Sequence, residues 1–384
     1  MVKALFHVLL IALPVFSHSQ TIAIRQFSAN EINAVILRSP EYRCEIIADQ
    51  LRVIPVRKVH TVWIAAAGDS VSVKNNHGYI GIFETIVINS NSETGYLKIQ
   101  PSSPSIQERV FRGELIIKCS NGRLFIVNNL DLEDYVAGVV EAESGPRAPS
   151  EFYKAQAIIC RTYALGHLDR HKNEGFQLCD AVHCQVYKGI PVRNPMIIEA
   201  TRQTAGLVLA DSNNVLITAS FHSNCGGQTV NSEDVWSKSM PYLRSVTDSF
   251  CIHQKNATWT DTILLYDWIT YLDTVGIELS ANNLSPENFE FIQQTRKIYL
   301  TQGPDSIILK KIRKDFGLRS TFFSLIPYQN SLIIMGKGYG HGVGLCQEGA
   351  MEMARRNYSY EQIIHFYYQN VKLLSIHELS NNTL

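Results

Sequence analysis

The hydrophobic pattern of the chain changes its period near Asp131, and this change limits the fold classes open to it. Upstream, residues 20 to about 128 contain short β-rich runs separated by clusters of Gly, Asn, Ser and Pro. Downstream, apolar residues recur at helical spacing from Leu132, and the pattern predicts a long amphipathic helix near residues 149–172. Strands and helices that are partly segregated along a chain are typical of an α+β fold.

The remainder of the chain is expected to be mixed. Residues 186–250 return to a strand-and-loop pattern around a Gly-Gly pair. Further helices are expected at 284–296, 306–316, 348–356 and 360–370.

The first residues have the pattern of an export signal. Lys3 gives a positive start, Ala4–Phe16 is mostly apolar, and small residues before Gln20 favour cleavage there. The apolar run is too short to span a bilayer, although an uncleaved N-terminal anchor is the alternative. We expect an exported protein of the periplasm, cell envelope or extracellular space, without a transmembrane anchor in the mature chain.

Composition bears on partners and on cysteine chemistry. The 35 basic and 35 acidic side chains give a net charge of zero, so no basic excess favours nucleic-acid binding. The eight cysteines all follow the predicted signal peptide. Outside the cytoplasm they suggest disulfides first, with a metal site and buried thiols as alternatives.

Glu141 and Glu143 are the first candidates for acid–base chemistry. They lie between an apolar helix and the break at Gly145–Pro146. A carboxyl group beside apolar surface has a raised pKa and can donate a proton near neutrality. The alternative is two solvated glutamates at a helix end, which is the commoner situation for acidic residues. Arg161, on the next helix, could orient Glu143 or be a surface arginine.

Three glycine-containing segments are candidates for a ligand cleft: Gln185–Gly189, Ser223–Thr229 and Gly336–Gly349. Glycine lets the backbone approach a ligand closely, and the accompanying polar and aromatic residues are types that line sugar sites. The last segment lacks the Lys-Ser/Thr ending of a phosphate loop. We therefore expect it to present His341 and Gln347 in a cleft, with a purely structural turn as the alternative.

These segments combine into an ordered set of motifs. In chain order, the motifs are Leu132–Glu143, Lys154–Tyr163, Gln185–Gly189, Ser223–Thr229, Trp236 with Pro241–Leu243, Ile312–Phe323 and Gly338–Ala350. Together they resemble the core of the SpoIID/LytB family over roughly residues 110–370. The residue patterns give a signal peptide (1–19) and a β-rich accessory region (20–109), and the resemblance adds a SpoIID/LytB-like domain (110–375).

The resemblance implies an envelope protein that acts on peptidoglycan. The family includes the sporulation lytic transglycosylase, a carbon–oxygen lyase that cuts glycan strands, and relatives named as enhancers of amidases. The family's catalytic glutamate corresponds here to Glu143, which would serve as acid and then as base. The Met-Pro that usually follows it is replaced by Ser144–Pro146. The alternative is a non-catalytic envelope protein that binds glycan or enhances an N-acetylmuramoyl-L-alanine amidase.

The resemblance also implies which residues contact the substrate and a metal. The expected glycan-binding residues are Arg161, Gln185, Tyr187, Ser223, Gly226, Gly227, His341 and Gln347. Some family members similarly carry a Cys and a His-Cys pair that bind zinc, which here would be Cys179, His183 and Cys184.

The donor types at these positions suit a structural zinc site. Two thiolates and an imidazole can take three corners of a tetrahedron, with His171 as the predicted fourth ligand and Cys225 as another candidate. The alternative is disulfide chemistry, with the pairs Cys179–Cys184 and Cys225–Cys251.

Overall fold

A computed structural model describes residues 20–38, 44–50, 52–56, 61–90, 95–277, 279, 284–302 and 305–380. The predicted signal peptide, residues 1–19, lies outside these residues. The α+β fold class is confirmed, since strands fill the first part of the described chain and helices and strands mix after it. Within these ranges, every helix is too short or too polar to cross a membrane.

The first twelve strands precede the first helix. They are β1 Thr21–Gln26, β2 Ala34–Arg38, β3 Cys44–Ala48, β4 Arg52–Val56, β5 Thr61–Ala67, β6 Ser70–Asn75, β7 Gly78–Phe83, β8 Thr85–Ser90, β9 Leu97–Ser103, β10 Arg109–Phe111, β11 Glu114–Ser120 and β12 Arg123–Asp131.

Helices and shorter strands follow. The helices are α1 Leu132–Ser144, α2 Ser150–Leu165, α3 Pro195–Gln203, α4 Glu233–Trp236, α5 Leu265–Thr274, α6 Leu309–Asp315, α7 Gln347–Arg355, α8 Tyr360–Tyr367 and α9 Ile376–Ser380. The strands are β13 Leu178–Cys179, β14 Leu207–Ala210, β15 Phe221–His222, β16 Thr258–Leu264, β17 Tyr299–Gln302, β18 Asp305–Ile308, β19 Phe323–Tyr328, β20 Ser331–Lys337, β21 Leu345–Cys346 and β22 Lys372–Ser375.

Two sheets form the N-terminal layers. One has the strand order β13-β1-β12-β11-β8-β3-β4 and the other β10-β9-β2-β5-β6-β7. Both contain strands from each side of residue 109, because β12 pairs with β1 and β10 pairs with β9. The boundary expected at 109/110 therefore falls inside two hydrogen-bonded sheets.

Helices α1, α2, α3, α7 and α8 share one hydrophobic core with these sheets. Helix α2 contacts α1, α3, α7 and α8, and its buried face includes Phe152, Ile158 and Ile159. It ends at Leu165, earlier than the residue 172 expected from the pattern, with Gly166 at its C-cap position. Residues 172–174 form only a short 3₁₀ turn.

A second core lies further along the chain. It is centred on the sheet β16-β20-β19 and includes Trp268, Leu272 and Phe323. The helix expected over 284–296 is wrong: only Pro286–Phe289 forms a 3₁₀ turn, and the backbone of Phe291 instead bonds that of Leu325. The segment 306–316 begins as strand β18 before it becomes α6.

Two helices, α3 and the one-turn α4, lie within 186–250, where only strands and loops were expected. The longer helix, α3, begins with Pro195 in its first turn, which is a helix-start signal. It packs against α1 and α2 and so belongs to the first core.

A glycine in α1 lets the helix approach the segment Gln185–Gly189 closely. A Cβ added to Gly138 would overlap the ring of Tyr187 and the carbonyl oxygen of Gly189. Gly189 has φ +100°, and a side chain there would overlap the backbone of Val110. Because neither glycine has a side chain, the segment can pack directly against the helix.

We expect Gly138→Ala to destabilise the protein by about 1–3 kcal/mol through overpacking, although alanine favours helix formation. The measurement is the free energy of unfolding by chemical denaturation. Gly166→Ala is the matched control, because its φ is −72° and the nearest atom to its added Cβ would be 3.4 Å away. Equal effects of the two substitutions would contradict the close packing of α1.

Candidate functional site

The carboxyl group of Glu143 lies where three of the motifs meet. Glu143 is in the last turn of α1, which ends because Gly145 takes φ 72°. Its Oε1 accepts a hydrogen bond of 2.8 Å from the backbone N–H of Val186. Gln347 Nε2, at the start of α7, donates to the backbone oxygen of Glu143 at 3.3 Å. Residues far apart in sequence thus hold one acidic residue from two sides.

Burial raises the pKa of Glu143 above the ordinary value of a glutamate. The Val186 hydrogen bond and the charge of Lys188 oppose this rise. The negative end of the helix dipole also disfavours a carboxylate here, and the last turn of α1 holds no basic residue. Burial raises the pKa of Glu141 as well, against the charge of Arg193. Because the pKa of both glutamates is raised, the pKa does not distinguish them. The contacts of Glu143 with Val186 and Gln347 favour it over Glu141 as the acid.

Gln185 and Tyr187 are buried beside this carboxyl group. Tyr187 has no exposed surface, its ring centroid lies 5.3 Å from that of Tyr135, and its hydroxyl is 3.4 Å from Asn128 Oδ1. Gln185 Oε1 accepts a hydrogen bond of 3.3 Å from the Tyr135 hydroxyl. In this structure both side chains anchor the backbone that carries the Val186 N–H, and Tyr187 offers no surface to a glycan.

Arg161 is also buried, away from solvent. Its guanidinium makes a two-pronged contact with the Glu133 carboxylate, in which Nε to Oε1 measures 2.8 Å and Nη2 bonds Oε2. Its Nη1 donates to the carbonyl oxygen of Leu207 at 2.9 Å. The guanidinium therefore contacts Glu133, in the first turn of α1, rather than Glu143. Arg161 positions the helix whose last turn carries Glu143.

Ser223 is partly buried near the start of α7. Its Oγ accepts a hydrogen bond of 3.3 Å from Asn256 Nδ2, and its carbonyl accepts the N–H of Glu348. Gly226 and Gly227 line a separate cavity of about 310 Å³, and Glu143 is not among its lining residues. The structure thus groups Ser223 with the start of α7 and places the glycine pair in another concavity.

The glycine-rich segment folds back on itself and presents His341. Four of its glycines have positive φ: Gly338, Gly340, Gly342 and Gly344. The His341 ring packs against Trp236 and His222, with ring centroids 5.2 and 5.4 Å away. Burial lowers the pKa of His341 to about 4, so the imidazole is neutral near pH 7. Its Nδ1 accepts the N–H of Val343 at 3.0 Å, which leaves Nε2 protonated.

The four predicted metal ligands come together, and we call them the His2Cys2 cluster: His171, Cys179, His183 and Cys184. Their donor atoms all lie within 4.8 Å of one another. Cys184 Sγ is 3.5 Å from His171 Nε2 and 3.7 Å from His183 Nδ1. The cluster could hold a metal ion.

A carboxylate outside the cluster orients one of its imidazoles. Glu174 Oε1 accepts from His171 Nδ1 at 2.5 Å, which directs Nε2 toward Cys184. Metal-binding histidines commonly have such a carboxylate partner. The donor set and this outer contact fit a zinc ion.

Asp180 ties the loop of the His2Cys2 cluster to the N-terminal sheets. Its carboxylate accepts the N–H groups of Phe27 and Ser28 at 2.6 and 2.9 Å, and it pairs with Arg109 at 2.5 Å. Its backbone oxygen accepts the N–H of Tyr187. The β-rich region therefore supports the segment that contacts Glu143.

A second group of metal-binding side chains is present, and we call it the Cys3Asp cluster: Cys225, Asp248, Cys251 and Cys346. Cys225 lies here, so its candidacy as fourth ligand of the His2Cys2 cluster is wrong. The three cysteines of this cluster form no disulfide in the structure, and Cys225 Sγ and Cys251 Sγ are 3.4 Å apart. This cluster could also hold a metal ion.

Several contributors to the site were not predicted. They are four acidic residues, each paired with a residue at the site: Glu133 with Arg161, Glu174 with His171, Asp180 with Arg109 and Asp248 with Cys225. The spacing of His171 and Glu174, and of Asp248 and Cys251, is a local signal for two of them. The Val186 N–H is a backbone group, and no side-chain pattern identifies it.

Comparisons with known proteins agree with the motifs. The sequence profile of the SpoIID family, described as Stage II sporulation protein, matches residues 120–210. The chain is 31% identical to an uncharacterized protein of Brachyspira hyodysenteriae over 70% of this chain and 74% of that protein. It is 30% identical to stage II sporulation protein D of Bacillus amyloliquefaciens, over 64% and 75% of the two chains. It is also 30% identical to the amidase enhancer of Bacillus subtilis, over 62% of this chain and 40% of that protein.

We expect the side-chain carboxyl of Glu143 to titrate above the range of an exposed glutamate. Carboxyl ¹³C NMR measures its midpoint, and Glu143→Gln assigns the signal. Lys188→Met should move the midpoint further upward, because the charge of Lys188 favours the carboxylate. Lys172→Met, another exposed lysine, is the control and should leave the midpoint in place.

The same shift links stability to pH. A raised folded pKa gives a contribution that is full below the unfolded pKa of about 4.3 and is lost as pH rises through the folded value. Glu143→Gln cannot ionise, so its free energy of unfolding should rise relative to wild type across that window. A difference that does not change with pH would contradict the raised pKa.

Proposed function

The chain belongs to the SpoIID family, and on this premise we propose that it is a lytic transglycosylase that cuts peptidoglycan glycan strands. The observation that carries the proposal is the half-buried carboxyl of Glu143, which has a raised pKa and accepts the Val186 N–H, while Gln347 donates to the backbone oxygen of the same residue. In this proposal the protein is exported and acts in the cell envelope. The bond cut joins the muramic acid and glucosamine sugars.

Glu143 serves first as the acid. The Val186 N–H engages Oε1, so Oε2 is the oxygen that carries the proton. Burial raises the pKa of this group, which favours the protonated form that a general acid requires. The proton passes to the glycosidic oxygen, the C1–O bond breaks, and the glucosamine sugar leaves as an alcohol.

The same carboxylate then serves as the base. It takes the proton from the C6 hydroxyl of the muramic acid sugar as that oxygen attacks C1, and a 1,6-anhydro ring closes. Water is not consumed, and Glu143 returns to its starting protonation state. These steps do not need a second carboxylate as nucleophile or base, whereas most glycosidases use a pair of carboxylates.

Burial divides the predicted glycan-binding residues into two roles. Ser223, His341 and Gln347 keep some exposed surface, and we assign them to the glycan. Arg161, Gln185 and Tyr187 position Glu143 through α1 and the Val186 backbone. Gly226 and Gly227 line a separate concavity, which we assign to sugars further along the strand.

The relative named amidase enhancer supports a second candidate, a non-catalytic protein that binds glycan and enhances a cell-wall amidase. This role does not need a protonated carboxyl. Substitution at Glu143 therefore separates the two candidates.

The His2Cys2 cluster is proposed to bind structural zinc through Cys179, Cys184, His171 and His183. Four protein donors close the coordination sphere, which is typical of structural rather than catalytic zinc. Cys184 directly precedes Gln185 and Val186, so a metal here would fix the segment that donates to Glu143.

We expect Glu143→Gln to lower the cleavage rate by about 10²–10⁴, because glutamine cannot transfer the proton. Glu141→Gln is the matched control on the same helix and should be mild. The assay incubates each variant with peptide-stripped glycan strands and detects anhydro-muramic ends by mass spectrometry. Glycan binding and the unfolding midpoint should be largely retained in both variants.

The outcomes of this assay are distinct. If the effects of the two substitutions are reversed, the acid is Glu141. If both variants retain full activity, the mechanism is wrong. Wild-type protein that binds strands without cleaving them and accelerates an amidase would favour the second candidate.

We expect Cys184→Ser to lose the metal of the His2Cys2 cluster and to lower activity, since the ligand adjoins the Val186 segment. Elemental analysis measures the metal, and binding should weaken as pH falls because thiolates and imidazole take up protons. Cys119→Ser, a cysteine outside both clusters, is the control. The zinc assignment fails if Cys179 and Cys184 stay blocked to alkylation until reduction and the Cys184→Ser substitution changes no metal content.

A further inference from the structure

The Cys3Asp cluster is assembled from three loops on the C-terminal side of the fold. Cys225 follows β15, Asp248 and Cys251 lie in the loop before β16, and Cys346 ends β21. All four residues are fully buried, with no exposed surface. Three thiolates and a carboxylate close together in a dry interior would be costly unless protons or a cation neutralise their charge.

The spacing of the donor atoms is close to that of a tetrahedral site. Cys225 Sγ lies 3.4 Å from Cys251 Sγ and 3.3 Å from Asp248 Oδ2. With zinc–sulfur bonds of about 2.3 Å and zinc–oxygen bonds of about 2.0–2.2 Å, the edges of a tetrahedron measure roughly 3.5–3.8 Å. Small movements of the side chains would therefore suffice to place an ion at the centre.

Backbone N–H groups already point at the sulfur atoms. The N–H of Cys225 donates to Cys346 Sγ at 3.2 Å, and that of Gly227 donates to Cys251 Sγ at 3.3 Å. The positive φ values of Gly226 and Gly227 produce the turn that allows this. Hydrogen bonds of this kind stabilise thiolates and are typical of the surroundings of metal ligands.

The carboxylate and the surrounding charge fit the same interpretation. Asp248 Oδ2 accepts the Tyr367 hydroxyl at 2.9 Å, and Oδ1 accepts the N–H of Phe250 at 2.9 Å, which orients the group. Arg296 Nη2 donates to the carbonyl oxygen of Cys225 at 2.6 Å and brings a positive charge next to the cluster.

We propose that Cys225, Asp248, Cys251 and Cys346 form a second structural metal site, selective for a thiophilic divalent ion of the zinc type. Three thiolates and one carboxylate favour zinc over magnesium or calcium, which prefer oxygen ligands. A Cys225–Cys251 disulfide would engage two of the four donors and leave Cys346 and Asp248 without a cation. A metal ion engages all four.

The second site would stabilise the segment that contacts Glu143 through Gln347, whereas the His2Cys2 cluster adjoins the segment that contacts it through Val186. Cys346 directly precedes Gln347, whose side chain donates to the backbone of Glu143. Cys225 follows Ser223 and Asn224, and Asn224 Nδ2 bonds Glu348 at 2.6 Å. The ion would therefore join the Ser223–Thr229 segment to the start of α7, independently of the Val186 side.

Metal stoichiometry of the full chain tests the proposal. Wild type should carry about two equivalents of zinc, Cys184→Ser and Cys251→Ser about one each, and the double variant almost none. Asp248→Asn should bind the second ion more weakly while keeping all thiols. Cys119→Ser and Glu143→Gln should match wild type, so the result does not depend on whether the protein cleaves glycan.

A measurement on wild-type protein covers the case in which variants fail to fold. After chelation, Co²⁺ should add in two steps, each with sulfur-to-cobalt charge-transfer absorption, and all eight cysteines should be alkylatable in denaturant without reductant. A single step that Cys184→Ser abolishes would overturn the proposal. So would Cys225 and Cys251 that resist alkylation until reduction, since they would then be a disulfide.

Discussion

The close approach of the Gln185–Gly189 segment to α1 determines where the acidic group of Glu143 lies. Gly138 allows contact with Tyr187 and Gly189, and Val186 lies next to that contact. The Val186 N–H therefore meets α1 about one and a half turns further on, at the Glu143 carboxyl. A hydrogen bond of this kind contributes about 1 kcal/mol, so packing rather than the bond itself fixes the geometry.

Two ion pairs with buried members extend this arrangement. Arg161 with Glu133 fixes the beginning of α1, and Arg109 with Asp180 fixes the loop that leads to Val186. Buried ion pairs add little net stability compared with apolar packing, yet removing one partner costs about 3–5 kcal/mol. Their contribution here is to specify one relative position of helix and loop.

The sequence was sufficient for those features that depend on local pattern. The change of period at Asp131 predicts the α+β class, and α1 begins at the predicted place because Asp131 caps it. The four residues of the His2Cys2 cluster lie close together in the chain, and the sequence pattern was enough to group them. Features that depend on distant partners were not: Glu133 for Arg161, Cys346 for Cys225, and the Phe291 bridge that replaces a predicted helix. No local periodicity encodes such contacts.

The position of β1 has a consequence for how the chain folds. This N-terminal strand lies between β12 and β13, and the turn after it bonds Asp180, 153 residues from Phe27. The sheet cannot close until residues near 180 have emerged, so its completion involves contacts of high sequence separation and is intrinsically slow. The loop of the His2Cys2 cluster is ordered by the same contacts. Completion of the sheet and ordering of that loop therefore depend on the same contacts, which join the first strand of the described chain to one side of the site.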